Sequence, residues 1–186
     1  MPDLPISVMA NKIAEGIFYS QEEKKSGHSD ALTKDNIKDV LHNIANPYMI
    51  LRGTHDGSFS AIYSIIAEDG NPMLIALSTN KEMPNQTIVN RISSIYGKAL
   101  DSIERWIDKG MLLYLDDTIE PPEVLQRLQL PSALQVAPDN SIVLKSQIVN
   151  GSLSEVMNLP KDARVSLNLF SAKKPSVSML WRRVIL

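Results

Sequence analysis

Between Ile88 and Lys98 the chain reads Ile-Val-Asn-Arg-Ile-Ser-Ser-Ile-Tyr-Gly-Lys, and the hydroxyls and the cation at the end of this run are the groups best suited to chemistry. In an extended chain successive side chains alternate between faces. That spacing sends Ile92, Ser94 and Tyr96 to one side and Arg91, Ser93 and Ile95 to the other. Lys98 follows on the Tyr96 side if the strand runs on past Gly97, where the pattern predicts a stop. A hydroxyl, a phenol and an ammonium converging near a strand end can hold a phosphodiester and stabilise the charge that develops on it. The same residues are also ordinary members of a pleat. Arg91 joins the Ser94 face only if a bulge intervenes.

Three histidines accompany this run. Histidine suits proton transfer because its pKa lies near neutrality, and His28, in a polar stretch ahead of a helix start, is placed to lean over a sheet face. His42 falls off the buried stripe of its helix and reads as a solvated residue. His55 sits in the turn Thr54-His55-Asp56-Gly57, which turn chemistry explains, although Arg52 and His55 together could touch a phosphate. Arg52, His55 and Arg91 are therefore the candidate substrate-binding residues, beside the candidate catalytic set His28, Ser94, Tyr96 and Lys98.

No histidine pair or carboxylate cluster has metal-ligand spacing, so neither a zinc nor a two-metal mechanism is expected. The chain has no cysteine, which excludes disulfides and thiolate metal sites and fits a reducing compartment. Without a phosphate loop, a dinucleotide glycine pattern or a nucleophile elbow, no cofactor is expected. Lys173, Lys174, Arg182 and Arg183 read as a solvated edge rather than an RNA track.

The 186 residues carry 19 basic and 21 acidic side chains, a formal charge of -2. Such a balance provides no global field to draw in nucleic acid. It leaves room for an enzyme that holds one scissile phosphate, which needs a few local cations only. Neither a secretory leader nor a run of about 18 apolar residues is apparent, so a soluble, cytoplasmic protein without membrane contact is expected.

The elements that must position these groups follow from apolar spacing. Ile6, Met9, Ala10, Ile13, Ala14 and Ile17 recur at helical intervals and predict a helix over 6–18. Leu32 and Ile37 bracket Thr33 as a hydrophobic staple around an N-cap, and Val40, Leu41 and Ile44 continue the stripe of a helix over 33–45. After Pro47 the period changes to two. Strands are predicted at 48–51, 59–67, 73–77, 88–96 and 111–115, with a hairpin turn at Asp69-Gly70-Asn71-Pro72 and a helix over 98–109 closed by Gly110. A short helix after Pro121-Pro122, a strand at 142–144 and a terminal hairpin from Val165 to Trp181 complete the reading. The sum is an α+β fold in which N-terminal helices pack on a mainly antiparallel sheet of four to five strands, with a C-terminal β-hairpin appendage. Residues 1–150 form the domain and 151–186 an extension packed on it.

In this order the residues resemble the C-terminal domain of phage MuF-type proteins, within the barnase, EndoU, colicin and RelE-like group of nuclease folds. The likeness rests on Gly27-His28 before Leu32-Thr33, on Ile44-Ala45-Asn46-Pro47, on Asp69-Gly70-Asn71-Pro72, on Ile92-Ser93-Ser94-Ile95-Tyr96-Gly97-Lys98, on Gly110 to Tyr114, and on Leu128-Gln129-Leu130-Pro131. It covers roughly residues 5–150, and its most specific part is Ser-x-Tyr-Gly-Lys. The resemblance implies a metal-independent endoribonuclease, and a toxin-type domain of phage or prophage origin acting on RNA in a bacterial host is expected, with an immunity or host protein as a candidate partner. His28, Ser94, Tyr96 and Lys98 are the positions that match its motifs. The alternative is an inactive member of the same fold that binds protein, as a phage accessory factor or an inhibitor of host defence.

Overall fold

The computed structural model describes residues 4–9, 28–29, 32–128, 130 and 142–144. Among these residues the fold is α+β, with one mixed sheet of eight strands in the order β1-β6-β5-β4-β3-β7-β8 and β2 pairing β6 beside β1. The strands are β1 (Ile6–Val8), β2 (His28–Ser29), β3 (Met49–Arg52), β4 (Ser58–Ile66), β5 (Pro72–Glu82), β6 (Ile88–Lys98), β7 (Leu112–Leu115) and β8 (Val143–Leu144). The helices are α1 (Lys34–His42), α2 (Leu100–Asp108) and α3 (Glu123–Gln126).

Three expectations need correction. The sheet is wider than four or five strands and is mixed, because β1 joins β6 and β8 joins β7 in parallel. Residues 6–8 form a strand rather than the start of a helix. Their apolar spacing fits a helix, but pairing Ile6 with Asn90 and Val8 with Ile92 answers the backbone of β6's outer edge, a tertiary demand that local periodicity cannot register. Strand β6 also continues through Gly97 to Lys98 instead of stopping at the glycine. The rest of the predicted first helix, the C-terminal hairpin, the late basic cluster and the boundary at residue 150 lie outside the described residues.

Helix α1 starts as its sequence dictates. The Thr33 hydroxyl accepts from Asn36 N, and the Asn36 side chain accepts in return from Thr33 N, so two otherwise orphaned amides are answered. Leu32 and Ile37, the staple pair, are both buried. The hairpin between β4 and β5 turns on Gly70 at φ +80, with the Asp69 carboxylate accepting from Asn71 N. Gly110 closes α2 at φ +69, donating to Ile107 O, the left-handed end that favours glycine.

The sheet is covered on both faces. One face packs Ile50, Phe59, Ala61, Tyr63, Met73, Ile75, Leu77, Ile92 and Ile95 against Ile37 and Val40 of α1 and Ile44 just beyond it. The other packs Met49, Leu51, Ile62 and Leu74 against α2 through Ile103 and Ile107, with Leu125 and Leu128 completing the cluster. Helix α2 leads from the end of β6 to the start of β7, which sets it across the second face. Among the described residues no helix is long and apolar enough to cross a membrane.

Tyrosines anchor this core at four points. The Tyr63 hydroxyl donates to Ile44 O at 3.0 Å in the interior, tying β4 to the end of α1. Burial raises the pKa of Tyr63, Tyr48, Tyr96 and Tyr114, and the Asp116 carboxylate adds to the effect at Tyr48 and Tyr114. The folded state thus holds these phenol protons more tightly than the unfolded chain does. The associated stability is complete below the ordinary phenol pKa of 10.0 and is lost as pH climbs through the raised folded values. Chemical denaturation from pH 7 to pH 11 should show stability falling only above about pH 10. Tyr63→Phe should soften the alkaline fall while lowering stability at pH 7 by about 1–3 kcal/mol, since Ile44 O loses its buried donor.

Candidate functional site

Strand β6 carries the candidate chemistry, and its pairing with β5 decides which side chains share a face. Ile95 lies opposite Ile75, Tyr96 opposite Leu74 and Ser94 opposite Ala76, but the next pair is Leu77 with Ile92, followed by Ser78 with Arg91. Ser93 is the extra residue of a β-bulge. Below it, Ile95 belongs to the core under α1, and Ser94, Tyr96 and Lys98 occupy the α2 face. Above it, Ile92 also enters the core under α1, although strict alternation assigns it to the Tyr96 side. Arg91, opposite Ser78, therefore comes round to the same face as Ser94, Tyr96 and Lys98. The bulge is held by the hydroxyls of Ser78 and Ser93, 2.9 Å apart.

Lys98 ends this strand in an unusual setting. It is only 7% exposed, although lysine is rarely buried without a partner. Its ammonium lies 5.0 Å from the centroid of the Trp106 ring and 6.0 Å from that of Tyr96, within the range of cation–π attraction. Among the described residues no carboxylate pairs with it. Desolvation lowers its pKa below the usual lysine value, and the positive charge of Arg105 adds to the fall. Arg105 itself is engaged along its helix, donating to Asp101 O and to the Ser102 hydroxyl. Burial has the opposite effect on the neighbouring phenol and keeps Tyr96 protonated.

His28 lies in strand β2, not in the loop expected for it. The antiparallel ladder pairs His28 with Lys98 and Ser29 with Gly97. Residues directly opposite one another occupy the same face of a sheet, so positions 28, 98, 96 and 94 fall on one face around the end of β6.

The other predicted contacts disperse. Arg52 pairs with Phe59, whose ring belongs to the core under α1, and the register thus puts Arg52 on the opposite face from Lys98. His55 is exposed in its turn, where Ser58 bonds both its amide and its carbonyl. Neither joins the set around Lys98. A cleft of about 330 Å³ lies elsewhere, between Asn43 and Asn46 after α1, Ser64 in β4, and Asp116 and Ile119 beyond β7. Among the described residues no three histidine or acidic side chains converge as metal ligands would. Trp106 is the part of the site that sequence reasoning missed. Its place on the inner side of α2 was legible, but its service as a platform for Lys98 depends on how α2 crosses the sheet.

An α+β domain with a mixed sheet and a lysine buried against aromatic rings at a strand end defines a class rather than an activity. A profile of the phage MuF C-terminal domain family matches residues 21–119, the span that runs from ahead of β2 to just beyond β7, and the chain belongs to that family. No curated protein and no solved structure matches the chain significantly.

A buried lysine with no counter-ion among the described residues burdens the fold. Its lowered pKa means that the unfolded state binds its proton more readily, a cost that is present while the lysine is charged and disappears as pH rises to 10.5. Lys98→Met, which keeps the length and removes the charge, should therefore be at least as stable as the wild type at pH 7 in thermal denaturation. A marked loss of stability would instead give Lys98 a structural role.

Proposed function

We propose that the domain cleaves RNA by internal transphosphorylation at the end of β6. The observation that carries this reading is the pairing of His28 with Lys98 across the β2–β6 ladder. The ladder thereby sets a residue of a type that titrates near neutrality opposite a lysine whose ammonium is desolvated. In the reaction the 2′-oxygen attacks phosphorus, the bond to the 5′-oxygen breaks, and a cyclic phosphate forms. His28 takes the proton from the 2′-hydroxyl or supplies the one that leaves on the 5′-oxygen, with water serving the other role. Lys98 neutralises the charge growing on the phosphoryl oxygens, and Tyr96 and Ser94 donate hydrogen bonds to them or position the substrate.

Several features support this assignment. A phosphate would give Lys98 the anion that no described carboxylate supplies, and the low-dielectric surroundings strengthen that attraction. The protonated phenol of Tyr96 is a donor at every pH near neutrality. The family is a phage one, which suits a domain acting within a bacterial host. The rival reading, a protein-binding member without turnover, draws on the same lysine, since its place between Trp106 and Tyr96 is a packing arrangement that needs no substrate.

Purified protein incubated with mixed RNA separates the two. Cleavage should persist in EDTA and leave cyclic phosphate ends. Replacing His28 or Lys98 by Ala should slow it by about a hundredfold or more, and the double variant should lose less than the product of the two effects. Folded wild-type protein that leaves every RNA class intact, or activity that a chelator abolishes and magnesium restores, would overturn the proposal.

The pH profile gives a further check. Phosphate binding needs Lys98 charged, so kcat/KM should fall on the alkaline side at a pH below the usual lysine range, because burial depresses that pKa. Lys98→Arg should move this limb upward, as a guanidinium stays charged throughout.

A further inference from the structure

Beyond the part of the sheet that α2 crosses, the same face presents a patch of hydroxyls around one arginine. Ser94 and Ser93 lie on it at the bulge, and Ser78 stands opposite Arg91. Ser60 pairs with Ala76, which places it on this face too. On the other side of β6, Ser7 pairs with Arg91, while its neighbours Ile6 and Val8 pack towards the core under α1. All six side chains are half-buried. No hydrogen bond or ion pair holds the Arg91 guanidinium among the described residues. None of the strand positions named on this patch is a carboxylate. A half-buried arginine among small hydroxyl donors is chemically a seat for an anion, and the arginine fork matches a phosphate.

We infer that Arg91 with Ser7, Ser78 and Ser93 forms a second phosphate subsite for the same single-stranded RNA whose scissile phosphate lies at Lys98, with Ser94 on the path between the two. This inference rests on the RNA-cleaving reading above. Lys98 and Arg91 are separated by six steps of the β5 ladder, or about 20 Å along the strand, a span that a single strand bridges only with several nucleotides. The subsite therefore acts on longer chains and is idle with a dinucleotide. The intervening hydroxyls, each both donor and acceptor, suit a ribose-phosphate backbone and make no demand on base identity. The bulge at Ser93 creates the arrangement, since regular alternation would turn Arg91 to the opposite face, into the core.

The test uses a labelled single-stranded RNA of about twelve nucleotides, a length typical of single-strand binding grooves, together with a dinucleotide, on the full chain. Arg91→Ala should weaken binding of the longer RNA by about tenfold in fluorescence anisotropy and reduce the salt dependence by about one counterion. It should raise KM for that RNA, and the loss in kcat/KM should be larger for the longer RNA than for the dinucleotide. Arg91→Lys should recover part of the binding, and circular dichroism of both variants should match the wild type. Cleavage that proceeds with the same affinity and salt slope in Arg91→Ala overturns the subsite and spares the cleavage reading. Binding that depends on Arg91 without cleavage upholds the subsite and overturns the cleavage reading. Wild-type protein that binds no single-stranded RNA overturns the subsite.

Discussion

Ile92 and Ile95 both have to enter the core under α1, and an odd separation along a strand cannot achieve this by alternation. The extra residue at Ser93 resolves the conflict by resetting the pleat between them. Everything on the other face inherits the result. Ser94, Tyr96 and Lys98 stay in step with the lower half of the strand, and Arg91 is brought round to join them. Without the bulge either an isoleucine would lie on the α2 face or the arginine would be driven into a close-packed interior, where an unpaired charge is costly. The packing of two apolar side chains thus fixes where the polar ones of the candidate site stand.

Lys98 illustrates what burial costs a cation at the end of a strand. Burial at the end of β6 and the cation–π seat against Trp106 hold the ammonium in place but leave it short of hydration and without a described counter-ion. Tyr96, beside it, is biased the opposite way by the same burial. One environment therefore yields a cation ready to meet negative charge and a phenol that keeps its proton.

Much of this was legible in the sequence, and the failures have physical causes. The Thr33 cap with its Leu32–Ile37 staple, and the positive-φ glycines at 70 and 110, are local signals, so the ends of α1 and α2 and the β4–β5 turn could be placed from them. The central strands could be placed because each alternates apolar residues over its own length. Strand β1 was mistaken for helix because its three residues are extended only by virtue of their partner in β6. The burial of Lys98 was hidden for a similar reason, since it depends on α2 folding back over the sheet. Ser93 gave no warning at all: Ile-Ser-Ser-Ile reads as an unbroken strand until two isoleucines are required on one side. Of the candidate residues, Ser94, Tyr96 and Lys98 share a face as their period indicates, whereas Arg52 and His55, grouped by closeness in sequence, stand apart from them.

Among the described strands, β1 covers β6 at 90–92 and β2 covers it at 97–98, and the bulged residue lies in the stretch between them. A regular ladder there would offer a second chain a row of amides and carbonyls to pair with, next to some of the most apolar strands of the protein. The kink and added twist of a bulge make a poor template for such pairing. The irregularity that orients the polar face thus also makes this stretch of β6 a poor template for another strand.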